Sequence, residues 1–272
     1  MKGGVAAMIA AAATLAPTWR RGRLIVAGVV DEEHESLGAE ALVQRWRADA
    51  AIVTEPTDLA AAIAHKGFAW LEIVTRGRAA HGSRPADGRD AILRMGRVLA
   101  ALESLDRDLQ ARPAAGLQGS GSLHASIIAG GRELSSYPDR CDLQMERRTV
   151  SGEDATSVLH EVDAILDRLR RDDHEFEAEA RLVTYRSAYQ LGRDHQLVEA
   201  VTSALRESGR PAEPTAMSFW TDAAILGDAG IPSVLLGPGG AGLHSLEEYV
   251  RVDEVYACRD LLVNIVQNLV GH

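Results

Sequence analysis

Glu32, Glu33, Glu55 and His244 are the side chains of this sequence best suited to chemistry. Carboxylate oxygens and imidazole nitrogens are ligands that zinc accepts, and a catalytic zinc takes about three protein ligands plus a water. Glu33, Glu55 and His244 can serve as such ligands. Glu32, beside one ligand in sequence but pointing elsewhere, can take a proton from a zinc-bound water as general base. The reaction class is metal-assisted hydrolysis. Each residue alone has an ordinary reading. Asp31-Glu32-Glu33 can cap a helix beginning at Ser36-Leu37-Gly38-Ala39-Glu40, Glu55 can precede a proline turn, and His244 can be a polar residue in a glycine-rich loop.

Their placement argues for them together. The run Leu24-Ile25-Val26-Ala27-Gly28-Val29-Val30 predicts a strand buried on both faces of a parallel sheet, and it ends at Asp31-Glu32-Glu33. Ala50-Ala51-Ile52-Val53 runs into Thr54-Glu55-Pro56, and Pro232-Ser233-Val234-Leu235-Leu236 opens into Gly237-Pro238-Gly239-Gly240-Ala241-Gly242-Leu243-His244. Ligands of parallel sheets gather at the carboxyl ends of strands. Every predicted buried strand therefore ends in a carboxylate or an imidazole.

Between Lys66 and about Arg186 the pattern changes to alternation, as in Ala69-Trp70-Leu71-Glu72-Ile73-Val74, which predicts an antiparallel sheet covered on one face. A helix near 87–105, strands near 122–129 and 140–148, a helix over 153–169 and a strand near 176–184 complete a βαββαβ order, the ferredoxin-like arrangement. In the second of these helices Leu159, Val162, Leu166 and Leu169 keep the spacing of one buried face. Helices near 196–207 and 221–228 and a closing helix near 252–269 return to the first pattern. The expected fold is α/β, a catalytic domain of residues 1–64 and 188–272 interrupted by an α+β domain of residues 65–187.

The 272 residues carry 39 acids against 29 bases, a net charge of −10, which disfavours nucleic acid as partner. Two cysteines, Cys141 and Cys258, are too few and too far apart for a disulfide framework or a cysteine zinc site, so a reducing, cytoplasmic setting is expected. The stretch Val5 to Leu15 imitates a signal peptide, but it is Ala-rich after a single early Lys and reads as a buried helix. No apolar stretch is long enough to span a membrane.

The chain resembles the co-catalytic zinc amidohydrolases and exopeptidases that include acetylornithine deacetylase, succinyl-diaminopimelate desuccinylase, aminoacylase and glutamate carboxypeptidase. The segments that carry the resemblance run in family order: Met1-Lys2-Gly3-Gly4, Asp31-Glu32-Glu33, Thr54-Glu55-Pro56, Ala80-His81-Gly82-Ser83-Arg84-Pro85, Arg148-Thr149-Val150-Ser151-Gly152-Glu153, Thr221-Asp222 and Gly237-Pro238-Gly239 through His244. The resemblance implies a zinc-exopeptidase-like catalytic domain with an inserted lid and dimerisation domain. It implies two zinc ions per subunit, with Co²⁺ or Mn²⁺ as substitutes. Glu32 would be the general base, Glu33 and His244 would hold one zinc, and Glu55 the other. His81 would stabilise the tetrahedral intermediate in the partner subunit's site, and Arg148 would bind a substrate carboxylate, with the neighbouring Arg147 as rival. Gly237 and Gly239 would lie against the substrate. The implied activity is hydrolysis of a small amide substrate bearing a carboxylate, either an N-acyl amino acid or a peptide losing a terminal residue, by a homodimer.

The sequence departs from the family in two places. Family members carry an aspartate bridging both zincs directly before the Met1-Lys2-Gly3-Gly4 segment, and a histidine ligand further upstream; His34, His65 and His124 stand in no comparable motif. The expectation is that Met1 is an internal methionine of a longer reading frame, and that the piece alone leaves an incomplete metal site and an open sheet edge. At Leu134-Ser135-Ser136-Tyr137-Pro138 many relatives have an asparagine that contacts substrate, so Arg84, Ser135, Ser136, Tyr137 and Trp220 stay open as selectivity residues. The rival reading is a non-catalytic, dimerising or small-molecule-binding protein with a degraded metal site.

Overall fold

A computed structural model describes residues 1–270. The chain forms two compact units, Met1–His65 with Tyr189–His272, and Lys66–Ala188. In chain order the first unit opens with α1 (Lys2–Leu15), α2 (Leu37–Arg45), β1 (Ala51–Val53) and β2 (Ala62–His65). The second contains β3 (Gly67–Arg76), α3 (Ala91–Ala111), β4 (Ser122–Gly130), β5 (Arg140–Thr149), α4 (Ala155–Asp172) and β6 (Glu177–Arg186). The first unit then resumes with β7 (Tyr189–Gln190), α5 (Gln196–Glu207), β8 (Thr215–Met217), α6 (Ala223–Asp228), β9 (Ser233–Leu235), β10 (Gly240–Ala241), β11 (Tyr249–Val250) and α7 (Val252–Val270).

The second unit is a four-stranded antiparallel sheet in the order β4-β5-β3-β6, the ferredoxin-like order for βαββαβ. Alternation along β3 and β5 puts Ala69, Leu71, Ile73, Leu143 and Met145 on the face that α3 and α4 cover. The helices contribute Met95, Val98, Leu102, Val158, Val162 and Leu166 to the same core. Both helices start where the sequence supplies a cap: Asp90 accepts the N–H of Leu93 at 2.9 Å, and Asp154 and Ser157 form a reciprocal capping box. Leu159 and Leu169, expected at the centre of the α4 face, are only partly buried, while Val158 and Ile165 take the central places.

The sheet of the first unit is mixed rather than all parallel. Parallel β1 and β9 pair from Ala51↔Ser233 to Val53↔Leu235; β2 runs antiparallel to β9 and β7 and parallel to β8. Helix α1 buries Gly4, Ala7, Ala11 and Leu15, one face at three- to four-residue spacing, and contacts α7. The predicted strand Leu24–Val30 requires correction. The segment forms no ladder with any described strand, and Leu24, Val26, Val29 and Val30 are exposed. A strand exists only through a partner's hydrogen bonds, so apolar composition alone does not make one. No described helix is long and apolar enough to cross a membrane.

Candidate metal and catalytic site

Parallel pairing of β1 with β9 brings the carboxyl ends of both strands together in the first unit. The N–H of Leu236 donates to the carbonyl of Val53 at 3.0 Å, so Thr54-Glu55 and Gly237 leave the sheet side by side. Gly237 is required there: a Cβ would stand 2.2 Å from the carbonyl oxygen of Glu55. The start of α1 closes on the same turn, since a Cβ on Gly4 would stand 2.2 Å from the carbonyl oxygen of Thr54. Glu55 is thus buried, 6% exposed, with its backbone fixed from two sides.

The Asp31-Glu32-Glu33 triplet divides its labour. Asp31 takes the capping role: its carboxylate accepts the backbone N–H groups of Glu35 at 3.3 Å and Leu37 at 3.4 Å, ahead of α2. Ligand atoms of Asp31, His34 and Glu35 lie within 4.8 Å of one another at the surface. Glu33 points to the glycine-rich loop, with Oε2 3.4 Å from Nε2 of His244. Two ligands each about 2.0–2.1 Å from a tetrahedral zinc lie about 3.4 Å apart, so this pair has the separation that one shared ion demands. His244 adopts a left-handed backbone, φ 61°, at the end of that loop.

Glu32 lies within electrostatic reach of Glu33 and His244 and also of Asp222 and Glu55. In the metal-free protein burial pushes the Glu32 carboxyl up to about 7, with Asp222 and then Glu33 adding to the rise. Burial, followed by Glu32, pushes Glu55 up to about 8. Asp222, 6% exposed at the start of α6, is the acid that sequence reasoning left without a role. Its only signal was the Thr221-Asp222 doublet. Four acids and an imidazole converging on the strand ends are a donor set of the hard-oxygen and nitrogen type that zinc and similar divalent ions fill.

The raised acids give a pH dependence with a definite sign. From an ordinary value of 4.5 to about 8, the folded chain holds a proton on Glu55 that the unfolded chain releases. Stability from this group is therefore complete below the lower value and lost as pH rises through the upper one. Compared with Glu55→Gln, the chelator-treated protein should lose melting temperature progressively between about pH 5 and about pH 8.5. Thermal denaturation of both proteins checks this; a gap that stays constant contradicts it.

The glycines expected against substrate have their backbone groups committed within the protein. The N–H of Gly237 donates to Thr57 Oγ1 at 3.2 Å, and that of Gly239 to Glu254 Oε2 at 2.6 Å. Arg251 completes the latter anchor through Glu254 at 2.8 Å and Asp58 at 2.5 Å. The missing Cβ at Gly237 admits the Glu55 backbone, and that at Gly239 the Asp58 and Arg251 side chains. Trp220 lies at 6.2 Å, edge on, from the buried ring of His65, which also stacks on Tyr189 at 5.8 Å.

The second unit holds the other candidates. On β5, Arg147 is 1% exposed and faces the helices, pairing with Glu153 at 2.6 Å and Glu161 at 3.2 Å. Arg148 lies on the open face of the sheet, paired with Glu146 at 2.6 Å and 5.6 Å from the Phe68 ring. Strand parity thus separates the two arginines, one buried and doubly paired among the helices and the other on the open face. His81 sits in an exposed turn. It forms an isolated bridge with Ser136, the N–H of Gly82 donates to Ser135 at 2.7 Å, and the N–H of Tyr137 donates to Ala80 at 2.9 Å. Ser135, Ser136 and Tyr137 thus hold this turn through their backbones, while the Tyr137 ring packs over Gly88, where a Cβ would come within 2.5 Å.

Comparison with known proteins agrees with this geometry. Residues 1–268 match the family described as Peptidase family M20/M25/M40. The acetylornithine deacetylase of Myxococcus xanthus is 32% identical across 91% of this chain, and the chain spans 65% of that protein's length. The acetylornithine deacetylase of Salmonella arizonae is 27% identical over the whole chain, which spans 71% of it. The crystal structure of aminopeptidase PepT from Bacillus cereus superposes with a TM-score of 0.81 at 20% identity, covering 98% of this chain and 70% of its own, a likeness of fold. A ferredoxin-like insertion and a match from the first residue almost to the last place this chain in the M20/M25/M40 peptidase family.

Proposed function

We propose that the protein is a metal-dependent hydrolase of amide bonds, deacylating an N-acyl amino acid or removing a terminal residue from a small peptide. The observation that carries this reading is Glu33 facing His244 at 3.4 Å, beside the half-buried Glu32 and the buried Glu55. Glu33 and His244 would hold one divalent ion, zinc in the first instance, and Glu55 would contribute to a second. A cation in this position supplies Lewis-acid polarisation of an amide carbonyl and of the attacking water.

The chain's own residues account for the rest. Glu32 accepts the proton of the attacking water and returns it to the leaving amine; its burial beside Asp222 keeps the proton exchangeable near neutral pH. Arg148 spends its Nε on Glu146 and keeps its remaining N–H donors for a substrate carboxylate. Support for a carboxylate-bearing substrate also comes from the acetylornithine deacetylases that the chain resembles. His81 of the partner subunit would donate to the developing oxyanion.

Homodimerisation through the second unit is part of the proposal. Edge strand β4 leaves Ile127 and Ile128 61% and 52% exposed, an apolar edge that a second copy could cover. The buried, unpaired state of Cys141 and Cys258 supports a reducing, cytoplasmic setting. Hydrolysis of a panel of N-acyl amino acids, N-acetylornithine included, alongside dipeptides and with zinc supplied, tests the reading. Chelator-sensitive release of free amine supports it, and no release from any member with zinc bound contradicts it.

A further inference from the structure

We infer that Ser83 is a positioning residue, which fixes His81 as the tautomer carrying its proton on Nε2. The inference gives a use to that tautomer only through the hydrolytic reading above, but the tautomer itself is testable without it. Nδ1 of His81 lies 2.8 Å from the hydroxyl of Ser83 and 3.2 Å from its backbone nitrogen, whose hydrogen is directed at the ring. A backbone N–H can only donate, so Nδ1 must present its lone pair, and the hydroxyl rotates to donate to the same atom. The neutral ring is then left with its hydrogen on Nε2.

The surroundings keep this arrangement in register. The N–H of Arg84 donates to the carbonyl of His81 at 2.8 Å, which folds the chain so that Ser83 stays under the ring. The Gly82 and Ser136 contacts tie the turn to the 135–137 segment, so the backbone that carries the ring is held in place. The Nε2 atom makes no hydrogen bond with any described residue, and the side chain is exposed. The ring therefore presents a single outward N–H donor, the form needed to stabilise negative charge on a reacting oxygen. The opposite tautomer would present a lone pair and repel that charge. An unrelated surface turn would satisfy the imidazole just as well, so the test must read the tautomer and not only the activity.

The test is long-range proton–nitrogen NMR of the full chain labelled at histidine nitrogens, at a pH where the ring is neutral, with the His81 signals assigned by their loss in His81→Gln. The inference predicts a pyridine-like Nδ1 and a pyrrole-like Nε2. In Ser83→Ala only the longer backbone N–H contact to Nδ1 remains, so both signals should move part of the way toward intermediate values, and Ser83→Thr should restore the original pattern. In the hydrolytic assay Ser83→Ala should lower kcat about five- to ten-fold, the worth of one net hydrogen bond, with KM little changed, and Ser83→Thr should recover it. A pyrrole-like Nδ1 in the parent chain, or signals unmoved in Ser83→Ala, would overturn the inference. Wild-type kcat in Ser83→Ala, where His81→Gln is inactive, would likewise overturn the positioning role. If the parent hydrolyses nothing, the amide-hydrolase reading fails, and the NMR result alone decides whether Ser83 sets the tautomer.

Discussion

Replacing Glu32 with Gln should lower turnover of the zinc-supplied protein by about 10²–10⁴-fold while its zinc content stays unchanged. Gln preserves the size and hydrogen-bonding reach of the side chain but cannot accept a proton from water. The proposed base and the proposed ligand are distinct residues: Glu33, not Glu32, faces His244 at 3.4 Å. The same substitution should raise the melting temperature of the metal-free protein above about pH 7, because burial beside Asp222 and Glu33 makes an ionised Glu32 costly there. Activity lost and stability gained together mark a site held in tension for its function. Turnover retained in full would remove Glu32 from the base role, and zinc lost in proportion to turnover would make it a ligand.

The second large effect is structural. Arg147→Ala should destabilise the protein by about 3 kcal/mol, because removing one partner of a buried ion pair leaves the others uncompensated. Glu153 and Glu161 would face each other across the gap with 19% and 21% of their side chains exposed. Arg112, paired with Glu161 at 3.0 Å from a more exposed position, offsets part of the loss. Arg148→Ala, on the open face, should instead leave stability within about 0.5 kcal/mol of the parent, in line with the small worth of exposed pairs. It should raise KM for carboxylate-bearing substrates. Urea denaturation and steady-state kinetics of the two variants distinguish the residues, and equal destabilisation by both would contradict the assignment.

The choice between these arginines was open in the sequence and follows from strand parity once the covered face of β5 is known. Leu143 and Met145 lie on the covered face of β5, so strand parity sends Arg147 inward and Arg148 outward. The ferredoxin-like unit was readable because long strands with one wet face advertise their period. The mixed sheet of the first unit was harder. Its strands β2, β7 and β8 are four, two and three residues long, too short to show a period. Leu24–Val30 misled because seven apolar residues state that a segment prefers apolar surroundings, not that a neighbouring strand is present to pair with it.

The site showed a similar division. Glu33 and His244 are 211 positions apart in number, and the resemblance, not a local pattern, paired them before the fold brought them face to face. Asp222 was missed as a participant because its burial depends on where α6 packs, which no local pattern reveals. Gly237 and Gly239, placed against substrate by the resemblance, also let their surroundings pack, one admitting the Glu55 backbone and the other the Asp58 and Arg251 side chains.

Bound zinc per chain tests the central claim most directly, by elemental analysis of the protein and of His244→Ala after equilibration with zinc and removal of free metal. The account predicts zinc retained by the parent chain and clearly reduced in His244→Ala, with no loss of fold by circular dichroism. A parent chain that retains no zinc, or a His244→Ala variant that retains as much as the parent, would contradict it.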